Sequence, residues 1–287
     1  METIKKIFFN ASGKLRNGWW VLAFIAVYFV IGFSYRFGMN LLGEDVLPRD
    51  LGLAIGIGLI LLATWIVMRL RKERLSDVGL VMNSRWARDF FIGTGLGIAM
   101  ILVTATLVMA FAGVRFAMNP EASVTTMLYG LYFFLIVSLR EELLFRGFIF
   151  QRAIDGLGPW GAQVLFGLFF AVAHFGNPGM EGVTFVVATI VIALAAIFLG
   201  AAYIKTRSLA LPIGIHLGWN WAQGYVLGFG VSGTEVDGIL EPSFGDAPVW
   251  LSGGNFGVEA SVFAIAVVIG LTVLVWKWKL LEPAAAR

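Results

Sequence analysis

Ser138-Leu139-Arg140-Glu141-Glu142-Leu143-Leu144-Phe145-Arg146-Gly147 places two adjacent carboxylates and two guanidiniums inside a long apolar run. The flanks, residues 127–137 and 148–150, are apolar and aromatic apart from Gly130. A run of this length can cross a bilayer as a helix. A charge at the centre of such a helix costs about 2.5–3.5 kcal/mol on the insertion scale. Several charges there need partners or a function. The stretch therefore decides the class, an all-α polytopic membrane bundle, and raises the question of what its charges face.

The composition agrees. Apolar residues make up 59% of the 287 and charged residues 14%, against about 45–50% and 25% in ordinary soluble domains. The excess falls into runs of bilayer-spanning length rather than one large core, which leaves no room for a soluble domain of any size. There is no cysteine, so disulfides, thiol catalysis and thiolate metal sites are excluded. Only two histidines occur, His174 and His216.

Along the chain, residues 1–17 carry Lys5, Lys6, Lys14 and Arg16 among Ile7, Phe8 and Phe9, a basic segment suited to lie on anionic headgroups. Eight spans are expected, over 19–37, 51–70, 90–112, 125–152, 160–175, 183–204, 209–227 and 257–280. The first is too long for a signal-peptide core and reads as a retained helix. The third is rich in glycine, which suits close helix packing. Gly156, Gly158 and Pro159 break the chain before the fifth. Residues 228–256 read as a glycine-rich acidic loop. The expected organisation is one transmembrane domain over 18–281, with its functional core at about 125–225 and a tail over 282–287. Basic residues cluster in alternate loops. Arg69, Arg71, Lys72, Arg74, Arg85 and Arg88, then Arg146 and Arg152, Lys205 and Arg207, and Lys277, Lys279 and Arg287 join the N-terminal set, while the other set holds only Arg36, Arg49 and Arg115. By the positive-inside rule, both termini are cytoplasmic.

Within the spans, Glu142 and Arg146 are four residues apart and pair on one helix face. Such pairing is close to obligatory in a membrane. Glu141 lies about 100° around the helix from that pair, and a carboxylate in a dry site can serve as a general base. His174 lies near the end of span five, one turn after Phe170. His216 lies within span seven, on the same face as Asn220. A lone buried histidine is more often a satisfied core residue, but both histidines of this chain accompany a buried Glu pair in spans otherwise nearly free of charge. Together Glu141, His174, His216 and Asn220 can activate water and stabilise an oxyanion. Alternatively, Glu141, His174 and His216 form a zinc set with one position open for water. No HExxH pattern, serine elbow or phosphate-cradling glycine loop is present, and nothing points to nucleic acid.

These residues resemble the CPBP intramembrane proteases, which include the type II CAAX prenyl endopeptidases and the bacterial Abi proteins. E-E-x-x-x-R matches Glu141, Glu142 and Arg146, F-x-x-x-H matches Phe170 and His174, and H-x-x-x-N matches His216 and Asn220. Gly253, Gly254, Phe256, Gly257 and Glu259 are similar to a tail segment of some bacterial members. The resemblance implies an integral membrane endopeptidase acting on peptide or prenylated protein substrates. It assigns water activation to Glu141 with His174, oxyanion stabilisation to His216 and Asn220, and support to Glu142 and Arg146. Members are labelled metalloproteases, and a metal-free Glu/His route is also argued for them, so zinc is the one cofactor left open.

Two other readings use the same residues. Intramembrane Glu, His and Arg also mark ion and proton pathways in transporters, although the two related halves usual there are not evident. A non-catalytic immunity or scaffold protein on the same fold would tolerate loss of Glu141. In straight spans, Trp160 to His174 is roughly 20 Å, which sets His174 near one end of span five and His216 nearer the opposite end of span seven. A single site requires tilt or stagger, and a polar cavity among spans four, five and seven.

Overall fold

A computed structural model of the chain describes residues 2–41, 43 and 47–282. Met1 of the basic segment, and residues 283–287 of the tail, lie outside the described residues. The helices are α1 (Glu2–Phe8), α2 (Asn17–Leu41), α3 (Arg49–Leu70), α4 (Ser84–Ala112), α5 (Val124–Phe145), α6 (Phe148–Ala173), α7 (Gly182–Thr206), α8 (Ala210–Trp221), α9 (Val249–Ser252) and α10 (Val262–Lys277). The fold is an all-α helical bundle. Among the described residues, five stretches are long and apolar enough to cross a membrane, the fourth being Val124–Ala173, which contains both α5 and α6.

Every expected span coincides with helix, but several bounds move. The expected fourth span, 125–152, is cut after Phe145 by a turn at Arg146 and Gly147. There the backbone folds onto its own preceding turn, and a Cβ at Gly147 would lie closer than 3.0 Å to Leu143 O. Within α6, Gly158 adopts φ 76°, a conformation that side chains other than glycine's rarely tolerate. Pro159 follows with the φ that suits the first turn of a new helical segment, so the expected break is real. The expected seventh span is the 12-residue α8 continued by a π turn, Ala222–Val226. The expected eighth span shortens to the 16 residues of α10, because 254–260 forms tight 3₁₀ turns.

The chain divides into two compact units, Met1–Val81 with Leu139–Ala162, and Met82–Ser138 with Gln163–Arg287. In the first unit, the Asn10 side chain accepts from the N–H groups of Ser12 and Lys14 and closes a turn after α1. Phe8 stacks on Trp19 at 4.6 Å, which ties the basic segment to the start of α2. Phe29, Phe33 and Phe37 stack in a ridge along α2 and are exposed, as a lipid-facing surface would be. Phe24, the buried residue of that helix, packs on Phe148 at 5.8 Å. Gln151 Nε2 donates to Val78 O (2.9 Å) and Arg146 O (3.2 Å), fastening the start of α6 to the loop after α3. In that loop Arg71 holds Glu73 through two hydrogen bonds of 2.9 and 2.7 Å. That bond keeps the Glu73 carboxyl below its ordinary range, against the opposing effect of burial.

In the second unit, α4 and α8 touch backbone to backbone. A Cβ added at Gly93 or Gly97 would come closer than 3.0 Å to Leu211 O or Ile215 O, and one at Gly214 or Gly218 equally close to Phe90 O or Thr94 O. Two glycine pairs at i, i+4 thus face each other. In lipid, where apolar burial drives little helix association, such close approach supplies dispersion and Cα–H···O contacts instead. Residues 209–219 are all buried, and the largely apolar character of α8, His216 and Asn220 apart, goes with that. The glycines expected to favour close packing in span three do so here. A two-stranded antiparallel ribbon also forms, β1 (Arg115–Met118) pairing with β2 (Leu240–Ser243) in register Arg115 to Ser243. It lies partly in the segment read as an acidic loop.

Candidate active site

Glu141 and Glu142 occupy the last turn of α5, in the first unit. Arg146 Nη1 donates to Glu142 Oε1 at 2.9 Å, and the two side chains are 2% and 0% exposed. The i, i+4 pairing expected from the sequence is therefore formed, with both charges out of solvent. Glu141 is partly buried. Arg140 points to α3, where Gly56 makes room for it: a Cβ there would be 3.2 Å from Arg140 Nε.

His174, His216, Asn220 and Phe170 belong to the second unit. His174 is the first residue past α6, in the turn that closes the helix, and its Nδ1 lies 2.7 Å from Phe170 O. A carbonyl oxygen only accepts, so Nδ1 carries a proton and donates. The bond ties the ring back to the last turn of its own helix. The Phe170 ring is buried, with the His174 ring 4.7 Å from it and the His216 ring 6.4 Å from it, edge to face. Both histidines of the chain therefore flank one phenyl ring, and the axial offset expected from straight spans does not separate them. His216 is buried in the middle of α8, between Gly214 and Gly218 in sequence and about 160–200° around the helix from them. Asn220, partly buried, lies one turn further on, just before the π turn.

The π turn is itself anchored. Trp221 Nε1 donates to Met127 O at 3.1 Å, and the Tyr225 ring occupies the space left by Gly130 and meets Phe134 at 5.8 Å. Further residues that sequence reasoning did not connect to the site lie close behind it. Asn177, in the turn after His174, donates from Nδ2 to Ser232 O at 3.0 Å. Gln223, in the π turn, donates from Nε2 to Gly230 O at 2.6 Å and to Glu259 Oε2. Their positions, three residues past His174 and three past Asn220, are the signal that was available.

Within neither unit, among the described residues, do three His, Asp or Glu side chains gather as a metal would require. The second unit offers His174 and His216 to a zinc ion and no third such ligand beside them.

Residues 122–222 match the family model of the Rce1-like proteins, described as type II CAAX prenyl endopeptidase Rce1-like. That interval includes all three motifs and all seven residues singled out above. No curated protein matches the chain, and no solved structure does.

Proposed function

For a chain that belongs to the Rce1-like, CAAX-type endopeptidase family over residues 122–222, we propose an intramembrane peptide-bond hydrolysis run by its own Glu, His and Asn side chains. Glu141 takes a proton from water while His174, through Nε2, accepts the water's second hydrogen and orients its lone pair. The oxygen attacks the scissile carbonyl carbon. The resulting oxyanion is held by an N–H of His216 and the Nδ2 amide of Asn220. The proton on Glu141 then passes to the amide nitrogen as the C–N bond breaks. Glu142 and Arg146 take no part in the transfers. They hold the last turn of α5, and hence the backbone that carries Glu141, in place.

One observation carries this reading: a single family interval spans the three motifs in order, on helices that a membrane protein would use. The approach of both imidazoles to Phe170 supports it by bringing the proposed water-activating and oxyanion-binding rings onto one surface. The substrate class proposed is a prenylated peptide with a CAAX-type end, presented from the bilayer. Both termini are proposed to be cytoplasmic, from the alternation of basic residues.

The test is cleavage of a farnesylated CAAX peptide by the full chain in proteoliposomes. Glu141→Gln should reduce kcat by about 10²–10⁴-fold, the usual worth of a general base, at unchanged thermal stability. Cleavage by this variant at the wild-type rate would sink the assignment. Wild-type cleavage that survives a chelator supports the Glu/His route, and cleavage lost to chelator and restored by zinc overturns it.

A further inference from the structure

Glu259 is a buried carboxylate, 7% exposed, that the mechanism does not use. It lies in the tight turn before α10, far along the chain from the three motifs. Its Oε1 accepts from both the backbone N–H (3.2 Å) and the hydroxyl (3.1 Å) of Ser232. Its Oε2 accepts from Gln223 Nε2. The orientation of the Gln223 amide is dictated by Gly230 O, a carbonyl that can only accept. Ser232 has φ 49°, a left-handed conformation that costs energy in a residue with a side chain. It is held there by two bonds to one carboxylate. On its other side, Ser232 O accepts from Asn177 Nδ2, and Asn177 N donates to His174 O at 3.0 Å. The neighbouring backbone leaves no slack: a Cβ at Gly233 would come closer than 3.0 Å to Pro178 O, and one at Gly257 equally close to Gly230 O and to Glu259 itself.

A continuous chain of hydrogen bonds therefore runs from the turn after His174, through Asn177, Ser232 and Glu259, to Gln223 in the turn after Asn220. We propose that Glu259 is a positioning residue of the active site, clamping the His174 turn to the π turn that ends the His216–Asn220 helix. No neutral side chain of this size substitutes for it. A carboxylate presents two accepting oxygens to three donors, whereas glutamine presents one and sets an N–H against either Gln223 or Ser232. Burial pushes the Glu259 carboxyl up to about 7, while its bonds from Gln223 and Ser232 pull the other way by favouring the ionised form that the clamp uses.

The kinetic arm of the test rests on the endopeptidase reading, and a second arm does not. With two histidines in the chain, [15N]histidine labelling of the full protein in micelles yields two ring systems, assigned with His174→Gln. Glu259→Gln should shift or broaden the ring resonances of His174, and lower kcat on the farnesylated peptide by about tenfold or more with KM within twofold, since small misplacements of catalytic groups act on the reacting state. A general loosening of the fold would instead lower the melting temperature and leave the folded fraction's resonances and kcat alone. Should Glu259→Gln fail to fold, Ser232→Gly decides, because glycine adopts the left-handed conformation freely and only the hydroxyl link is lost. Ring resonances that coincide with wild type in the folded variant overturn the proposal. Wild-type protein that cleaves nothing refutes the endopeptidase reading while the resonances still report on Glu259.

Discussion

Removing either partner of the Glu142–Arg146 pair should be among the most damaging single changes in the chain, and removing both should be milder. The charges are 2.9 Å apart with side chains 0% and 2% exposed. At an effective dielectric constant of about 20, that separation corresponds to an attraction of about 6 kcal/mol, set against a desolvation cost of several kcal/mol per ion. The pair is therefore near balance as a pair. Broken, it leaves one buried charge without its counterion, at about 3–5 kcal/mol. Arg146→Met and Glu142→Gln should each show that loss, and Glu142→Gln with Arg146→Met less than either. The assay is reversible unfolding in bicelles, cross-checked by melting temperature, where about 3–5 kcal/mol should appear as about 6–20 °C in a chain of this size. Singles costing under about 1 kcal/mol would mean that the charges stay hydrated in the folded protein. A double change equal to the sum of the singles would mean that they do not act as a pair. Either result refutes the reasoning.

The glycine contact between α4 and α8 makes a second prediction. Gly218→Val should destabilise at the upper end of the about 1–3 kcal/mol typical of overpacking and lower kcat by displacing His216, whereas Gly95→Ala, where nothing lies within 4 Å of the new Cβ, should be neutral or stabilising. Glu259 makes a third. Its carboxyl is near 4.5 unfolded and about 7 folded, so the folded state binds the proton more tightly. The stabilisation is fully present below pH 4.5 and is lost as pH rises through 7, about 3 kcal/mol in all. The groups acting on it are neutral, the Gln223 amide and the Ser232 hydroxyl and N–H. Unfolding measured from pH 4.5 to 8 should show this slope in wild type and lack it in Glu259→Gln; parallel profiles would remove the buried carboxyl as its cause.

What was legible in the sequence was whatever stood out against lipid-compatible residues. Glu141, Glu142, Arg146, His174 and His216 are conspicuous because charge and imidazole are scarce in the spans, and local spacing predicts the Glu142–Arg146 pair that the structure forms. Features that depend on partners distant in sequence were not legible. Gly93 and Gly97 are visible as a close-packing pair, but that they meet Gly214 and Gly218 is decided by topology, more than a hundred residues away. The β1–β2 ribbon pairs residues equally far apart and includes Pro242, which argues against a strand on local grounds. Glu259 could be singled out by resemblance, yet its partners Gln223 and Ser232 lie 36 and 27 residues away. The difference that matters most concerns where the polar groups sit along their helices. The sequence suggests charges in the middle of long spans, where their cost would be greatest. In the structure all but His216, which stays in the middle of α8, lie at helix ends: Glu141 and Glu142 in the last turn of α5, His174 in the turn closing α6, and Asn220 at the entry to a π turn. Helix ends carry backbone groups without intrahelical partners, and His174 bonds to a carbonyl of the closing turn, Phe170 O. A polar side chain there relieves a cost that the fold would otherwise bear, so the same positions can be stable in a membrane and still hold lone pairs and N–H groups for chemistry.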